Sequence, residues 1–158
     1  MPDSVVFQSA EPWDGERPQT LVISCVDGRW RPYIQEFLVQ GLGISPHTDF
    51  MAVPGGVEPL TLVDLIPKDF NFFRRRIEAL VAGHGTRRIV CIAHQDCSWY
   101  AERKIGPIRL DLQARQLGDL RRAAAWMRET FPSIRVETYF ARRLAVAGEP
   151  EKVVFEAV

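Results

Sequence analysis

The segment Thr20-Leu21-Val22-Ile23-Ser24-Cys25-Val26-Asp27-Gly28-Arg29 starts as a nearly continuous apolar run, rich in β-branched residues, and ends in chemically active side chains. Such a run suits a strand buried on both faces, as in a parallel sheet. The pattern returns downstream, where Arg88-Ile89-Val90-Cys91-Ile92-Ala93 leads into His94-Gln95-Asp96-Cys97. Two buried strands that each run out into metal-ligand residue types are the organising feature of the chain.

Working outward, Pro32 fits the first turn of a helix, where its missing N–H does no harm. Ile34, Phe37, Leu38 and Leu42 recur at helical spacing, with Gly41 or Gly43 as the stop. Asp49 to Val53 reads as a short second strand, closed by Pro54-Gly55-Gly56. After an irregular stretch, Phe70, Phe73, Ile77, Leu80 and Val81 form an amphipathic stripe that ends near Gly83. A third helix carries Leu112, Leu117, Leu120, Ala124 and Met127, and Pro132 lies just past it. Ile134 to Phe140 and Lys152 to Ala157 are the fourth and fifth strands. Alternating strands and helices predict an α/β fold, with a mainly parallel sheet of about four strands and helices on both faces. The link around Gly148 and Pro150 is too short for a helical crossover, so the fifth strand is expected at an edge and antiparallel.

Residues 1–18, with Pro2, Pro12 and Pro18, read as an N-terminal arm, and Trp13 suggests that the arm docks on something. Residues 19–158 read as one domain, a length that buries a proper core. Lysine plus arginine equals aspartate plus glutamate, 20 against 20, so no net field recruits nucleic acid or an anionic membrane surface. Arg74-Arg75-Arg76 and Arg121-Arg122 fall in helical patterns and read as solvated faces. No stretch reaches the roughly 20 apolar residues needed to span a bilayer. The first ten residues show no export-signal pattern, and three cysteines make a disulfide framework improbable. A reducing, cytoplasmic setting, with thiols available to metal, is the expectation.

In an open parallel sheet, ligands collect beyond the carboxyl ends of strands where the strand order reverses. If the first and third strands are neighbours there, Cys25 meets His94 and Cys97. Two thiolates and an imidazole leave the fourth position of tetrahedral zinc open, as a catalytic site requires. Taken singly, a strand-end cysteine is usually a small buried hydrophobe, and H-x-x-C occurs often by chance. Cys91 lies inside its apolar run and belongs to the core, while His47 and His84 sit in loops and read as surface residues.

Cys25-Val26-Asp27-Gly28-Arg29 followed by His94-Gln95-Asp96-Cys97 resembles the paired signature of the β-class carbonic anhydrases, C-x-D-x-R and then H-x-x-C. The likeness extends in order and character over roughly residues 20 to 140. It implies zinc on Cys25, His94 and Cys97, with Asp27 and Arg29 as the family's catalytic dyad. An arginine offering parallel N–H bonds would hold the aspartate off the metal and keep it ionised. The carboxylate could then orient a zinc-bound hydroxide that attacks carbon dioxide to give bicarbonate. The resemblance also implies a homodimer with sites near the subunit interface.

The chain departs from the family pattern in two places. Ser98-Trp99-Tyr100 follows Cys97 where the family usually has glycine, and Ala52-Val53-Pro54-Gly55 replaces an Arg-Asn-Ala-Gly stretch. Three alternatives therefore stand beside carbon dioxide hydration. One is hydrolysis of carbonyl sulfide or carbon disulfide, and another a non-catalytic zinc module. The third is a cysteine phosphatase, because Cys25 to Arg31 also spells C-x5-R, whose loop wraps an oxyanion at a helix N-terminus.

Overall fold

The computed structural model describes residues 4–62, 65–102 and 111–158; residues 1–3 of the expected arm lie outside the described residues. The five strands are β1 (Thr20–Ser24), β2 (Asp49–Ala52), β3 (Arg88–His94), β4 (Arg135–Leu144) and β5 (Lys152–Ala157). They form one sheet in the order β2-β1-β3-β4-β5. The first three pairings are parallel, and β5 runs antiparallel along β4, as the short connection requires.

The helices are α1 (Arg31–Glu36), α2 (Pro67–His84), α3 (Ser98–Glu102) and α4 (Leu112–Thr130). Alternation along the buried strands feeds two cores. Leu21, Ile23, Ile89 and Cys91 face Phe73 and Ile77 of α2 and Leu120, Ala124 and Met127 of α4. Val22, Val90 and Ile92 point the other way, onto Trp30, Ile34 and Leu38. The sheet is thus covered on both faces, and β1 and β3 carry unbroken apolar runs, Leu21 to Ile23 and Ile89 to Ala93.

Several boundaries move from the sequence reading, each for a physical reason. The first helical stripe is continuous, but α1 gives way to a π-helical turn over Phe37–Gly41, where Leu42 N–H reaches back to the Phe37 carbonyl. Pro67 starts α2 one turn earlier than its apolar stripe suggests, because a proline serves at a helix start. Leu112 stands 42% exposed, so the inward face of α4 begins at Gln116 instead. Asp111 caps that helix, accepting from the backbone N–H groups of Gln113 and Ala114. The stretch after β2 contains a short 3-10 helix, Glu58–Thr61. Residues 4–18 form no helix or strand, and Val6, Phe7 and Trp13 stand almost fully exposed there. Among the described residues, no helix is long and apolar enough to cross a membrane.

Ile77 is fully buried between α2 and the sheet, whereas Phe72, on the same helix, is 57% exposed. Ile77→Ala should cost about 2–5 kcal/mol of unfolding free energy through lost burial and the cavity left behind. Phe72→Ala should stay within about 0.5 kcal/mol. Urea denaturation midpoints measure both, and equal losses would contradict this division of inner and outer faces.

Candidate metal centre

β1 and β3 are neighbours, with Ser24 opposite Ile92, so their carboxyl ends reach the same edge of the sheet. Strand order reverses between them, since β2 lies on one side of β1 and β3 on the other. Cys25 follows β1 directly, and His94 is the last residue of β3. The chain then turns through Asp96, whose φ of 57° is left-handed, a conformation aspartate tolerates better than most residues. That turn brings Cys97 back beside His94 at the head of α3.

The ligand atoms of Cys25, His94 and Cys97 all lie within 4.8 Å of one another, and the two sulfurs are 3.8 Å apart. Two thiolates on one tetrahedral zinc, each at ~2.3 Å, lie about 3.8 Å from each other. His94 is buried at 2% exposure. Its Nδ1 is 2.7 Å from the Gln95 carbonyl, which can only accept, so Nδ1 carries the proton and Nε2 the lone pair. That Nε2 is buried and has no hydrogen-bond partner among the described residues. An orphaned lone pair beside two sulfurs at this spacing fits a zinc ion.

The surroundings hold this arrangement in place. The Trp30 ring packs on the His94 imidazole, with centroids 4.9 Å apart, and Gln116 Nε2 donates to the His94 carbonyl at 2.9 Å. The turn after β2 is tied to the β1 end by Val53 N–H to Ser24 O and Val26 N–H to Val53 O, both 3.2 Å. Gly55 and Gly56 there have φ values of 77° and 59°. A Cβ on Gly56 would also come within 3.2 Å of the Cys25 backbone nitrogen, so the turn needs glycine for both reasons.

The electrostatics favour one thiolate even without metal. Cys25 is held far below the ordinary thiol range, to about 4. The hydrogen bond from the Cys97 thiol is the main cause; burial opposes it, and the Asp27 and Gly55 backbone N–H groups assist. Cys97 is correspondingly pushed up, first by the hydrogen bond it shares with Cys25 and then by burial. Cys91 is wholly buried, which raises it to about 12, and it takes no part in the cluster.

Asp27 and Arg29 form the close pair that the sequence suggested. Asp27 Oδ2 accepts from Arg29 Nη2 at 2.6 Å, and Oδ1 accepts from Arg29 Nε and from its backbone N–H, both at 3.0 Å. The guanidinium hydrogen bond is the main reason the Asp27 carboxyl titrates at about 2. The carboxylate stays outside the three-atom cluster. Arg31, the arginine of the C-x5-R spelling, lies with its guanidinium 3.8 Å over the Phe50 ring. A cavity of about 310 Å³ adjoins both motifs through Arg29, Trp30, Gln95, Asp96 and Arg143, but none of the three ligand residues lines it.

The remaining histidines are paired. His84 Nδ1 lies 2.7 Å from Asp49 Oδ2 and is only partly exposed, a correction to its reading as a plain surface residue. His47 is mostly exposed, 3.4 Å from Asp14. Sequence reasoning did not find Trp30, Gln116, Glu58 or Trp99 as neighbours of the site. Their partners lie far away in sequence, and no local spacing announces them.

A family model described as "Putative carbonic anhydrase" matches residues 16–153. The β-carbonic anhydrase isoform I of Trichomonas vaginalis superposes with a TM-score of 0.52 at 14% identity, over 93% of this chain and 87% of that one. A tetrameric β-carbonic anhydrase of Sordaria macrospora gives 0.53 at 15% identity, over 91% and 84%. The carbonic anhydrase of Streptococcus mutans gives 0.50 at 12%, over 88% and 82%. No curated protein matches the sequence. At such identities the structures speak for the fold, and the family match spans most of the sequence. The chain belongs to the family described as putative carbonic anhydrases, and it is built on the β-carbonic anhydrase fold.

Proposed function

We propose that the chain is a zinc-dependent enzyme that interconverts carbon dioxide and bicarbonate. The observation that carries this is the buried His94 Nε2, without a hydrogen-bond partner among the described residues, beside two sulfurs at zinc spacing. Cys25, His94 and Cys97 would hold the ion, which when bound supplies hydroxide near neutral pH and a Lewis acid. Arg29 restrains Asp27 through both carboxylate oxygens, so the aspartate remains an ionised acceptor beside the ligand set. From there Asp27 orients the attacking water through a hydrogen bond and receives no metal itself. Carbon dioxide is small, linear and weakly polar. Carbonyl sulfide and carbon disulfide share that shape, and an assay panel should include them.

Residues 1–18 act in this reading as an arm that joins two copies into a homodimer. The support is Trp13, 94% exposed within one chain, together with Val6 and Phe7. Light scattering at micromolar concentration should give twice the chain mass, and Trp13→Ala should weaken the dimer. A monodisperse monomer would reject it.

Purified protein should carry about one zinc per chain, and His94→Ala or Cys97→Ala should lose it. Cys91→Ala should leave zinc content unchanged. Metal analysis by mass spectrometry decides, and a metal-free protein of undiminished stability would remove the site.

Arg29→Ala should keep zinc and lose hydration activity, because the released carboxylate becomes free to take the open ligand position. Asp27→Asn should also keep zinc, with a rate lower by on the order of 10²-fold, the scale of a lost proton acceptor. Because the Asp27 pKa is lowered to about 2, its carboxylate stays ionised well below neutral pH. Activity should therefore rise between about pH 6 and 9 as hydroxide becomes available, with Asp27 charged throughout. Stopped-flow carbon dioxide hydration over that range is the measurement. Zinc-loaded protein silent at every pH would leave another small substrate or a non-catalytic zinc module.

A further inference from the structure

One side chain touches both cysteine-bearing segments. The Trp99 indole packs so closely on Gly55 that a Cβ there would overlap its ring. The same turn abuts Cys25, because a Cβ on Gly56 would come within 3.2 Å of the Cys25 backbone nitrogen. Trp99 also stands two residues past Cys97, in the first turn of α3. The indole therefore bridges the glycine turn that abuts Cys25 and the turn that carries Cys97.

Something must hold the indole in that position. Trp99 Nε1 donates to Glu58 Oε2 at 3.2 Å. Glu58 is 2% exposed, on the 3-10 helix just after the glycine turn, and its own N–H donates to the Gly55 carbonyl at 3.3 Å. Arg115 Nη2 lies 3.8 Å from the other Glu58 oxygen, and its guanidinium lies 5.3 Å from the Tyr100 ring centroid. Tyr100 is fixed in turn by donating to the buried Asp119 at 2.7 Å. Burying a carboxylate is costly unless its partners are well placed, so this network marks a position where geometry is being specified.

We propose that Trp99, anchored by Glu58, is a positioning residue that clamps the Gly55–Gly56 turn to the Cys97 turn and so fixes the spacing of the two sulfurs. The proposal rests on the reading of Cys25, His94 and Cys97 as a zinc site. Residues that orient metal ligands from behind typically contribute about 10- to 100-fold to metal affinity.

Two measurements test it. The first is zinc affinity of the full chain by competition with a chromophoric chelator. The second, on metal-stripped protein, is the rate at which an aromatic disulfide reagent modifies the thiols. Trp99→Ala should weaken zinc by about 10- to 100-fold and speed thiol modification. Trp99→Phe keeps a ring against Gly55 but not the N–H, and should recover part of both. Trp126→Ala is the structural control, because Trp126 packs on Phe70 and Phe131 in the core. It should lower stability yet leave zinc affinity within about twofold, as for independent sites. Trp99→Ala with unchanged zinc affinity and unchanged thiol rate overturns the clamp, as does Trp126→Ala weakening zinc equally. If the unaltered protein takes up no zinc, the metal reading fails, and the thiol rate alone decides: faster in Trp99→Ala upholds the clamp, unchanged rejects it.

Discussion

Parallel hydrogen bonding between β1 and β3 sets where every functional side chain can be. Because the strands run the same way and pair with Ser24 opposite Ile92, both release their chains at one edge of the sheet. Because β2 and β3 flank β1 on opposite sides, the connecting helices leave on opposite faces, and the edge between them stays open. An antiparallel partner could not do this. β5 shows the contrast: it enters opposite Leu144, beyond the level of His94, and runs back along β4 until Ala157 pairs with Tyr139 at mid-strand.

Within that edge the acids are sorted by kind. The thiols and the imidazole are gathered into the buried cluster, whereas the carboxylate of Asp27 is held outside it by Arg29. Were a divalent cation bound there, two thiolates and a neutral imidazole would bring the charge to zero, which would lower the penalty of burial. A third anion inside the cluster would upset that sum and fill the remaining coordination position. The cation beside Asp27 therefore matters for where the carboxylate stays as much as for its charge.

Strands and helices were legible in the sequence wherever their period ran long enough to see. The alternation of Leu21 and Ile23 against Val22 also foretells two cores on opposite faces, which the structure contains. Short elements gave no such signal: Glu58–Thr61 and Ser98–Glu102 span too few residues for a period to emerge. β4 runs past Phe140 through Arg142 and Arg143 because β5 pairs with it there, a partnership that local composition cannot reveal. The clustering of Cys25, His94 and Cys97 was legible because strand ends impose their location. Their supports were not, since Gln116 and Glu58 are polar residues whose burial depends on partners distant in sequence. His84 was misjudged on the same ground, through Asp49.

The wide sequence interval between Cys25 and His94 also bears on the order in which the molecule is made. During synthesis Cys25 emerges first, and α1, β2 and α2 all follow before the second motif exists. The ligand set closes only when β3 docks beside β1, and by then both apolar cores have most of their members. Closing so long a loop is opposed by chain entropy, which the strand ladder and the cores must overcome. An ion would in that case join a sheet already in place, adding stability to it. That is the reverse of the smallest zinc modules, in which metal is the nucleus and the folded chain exists only around it.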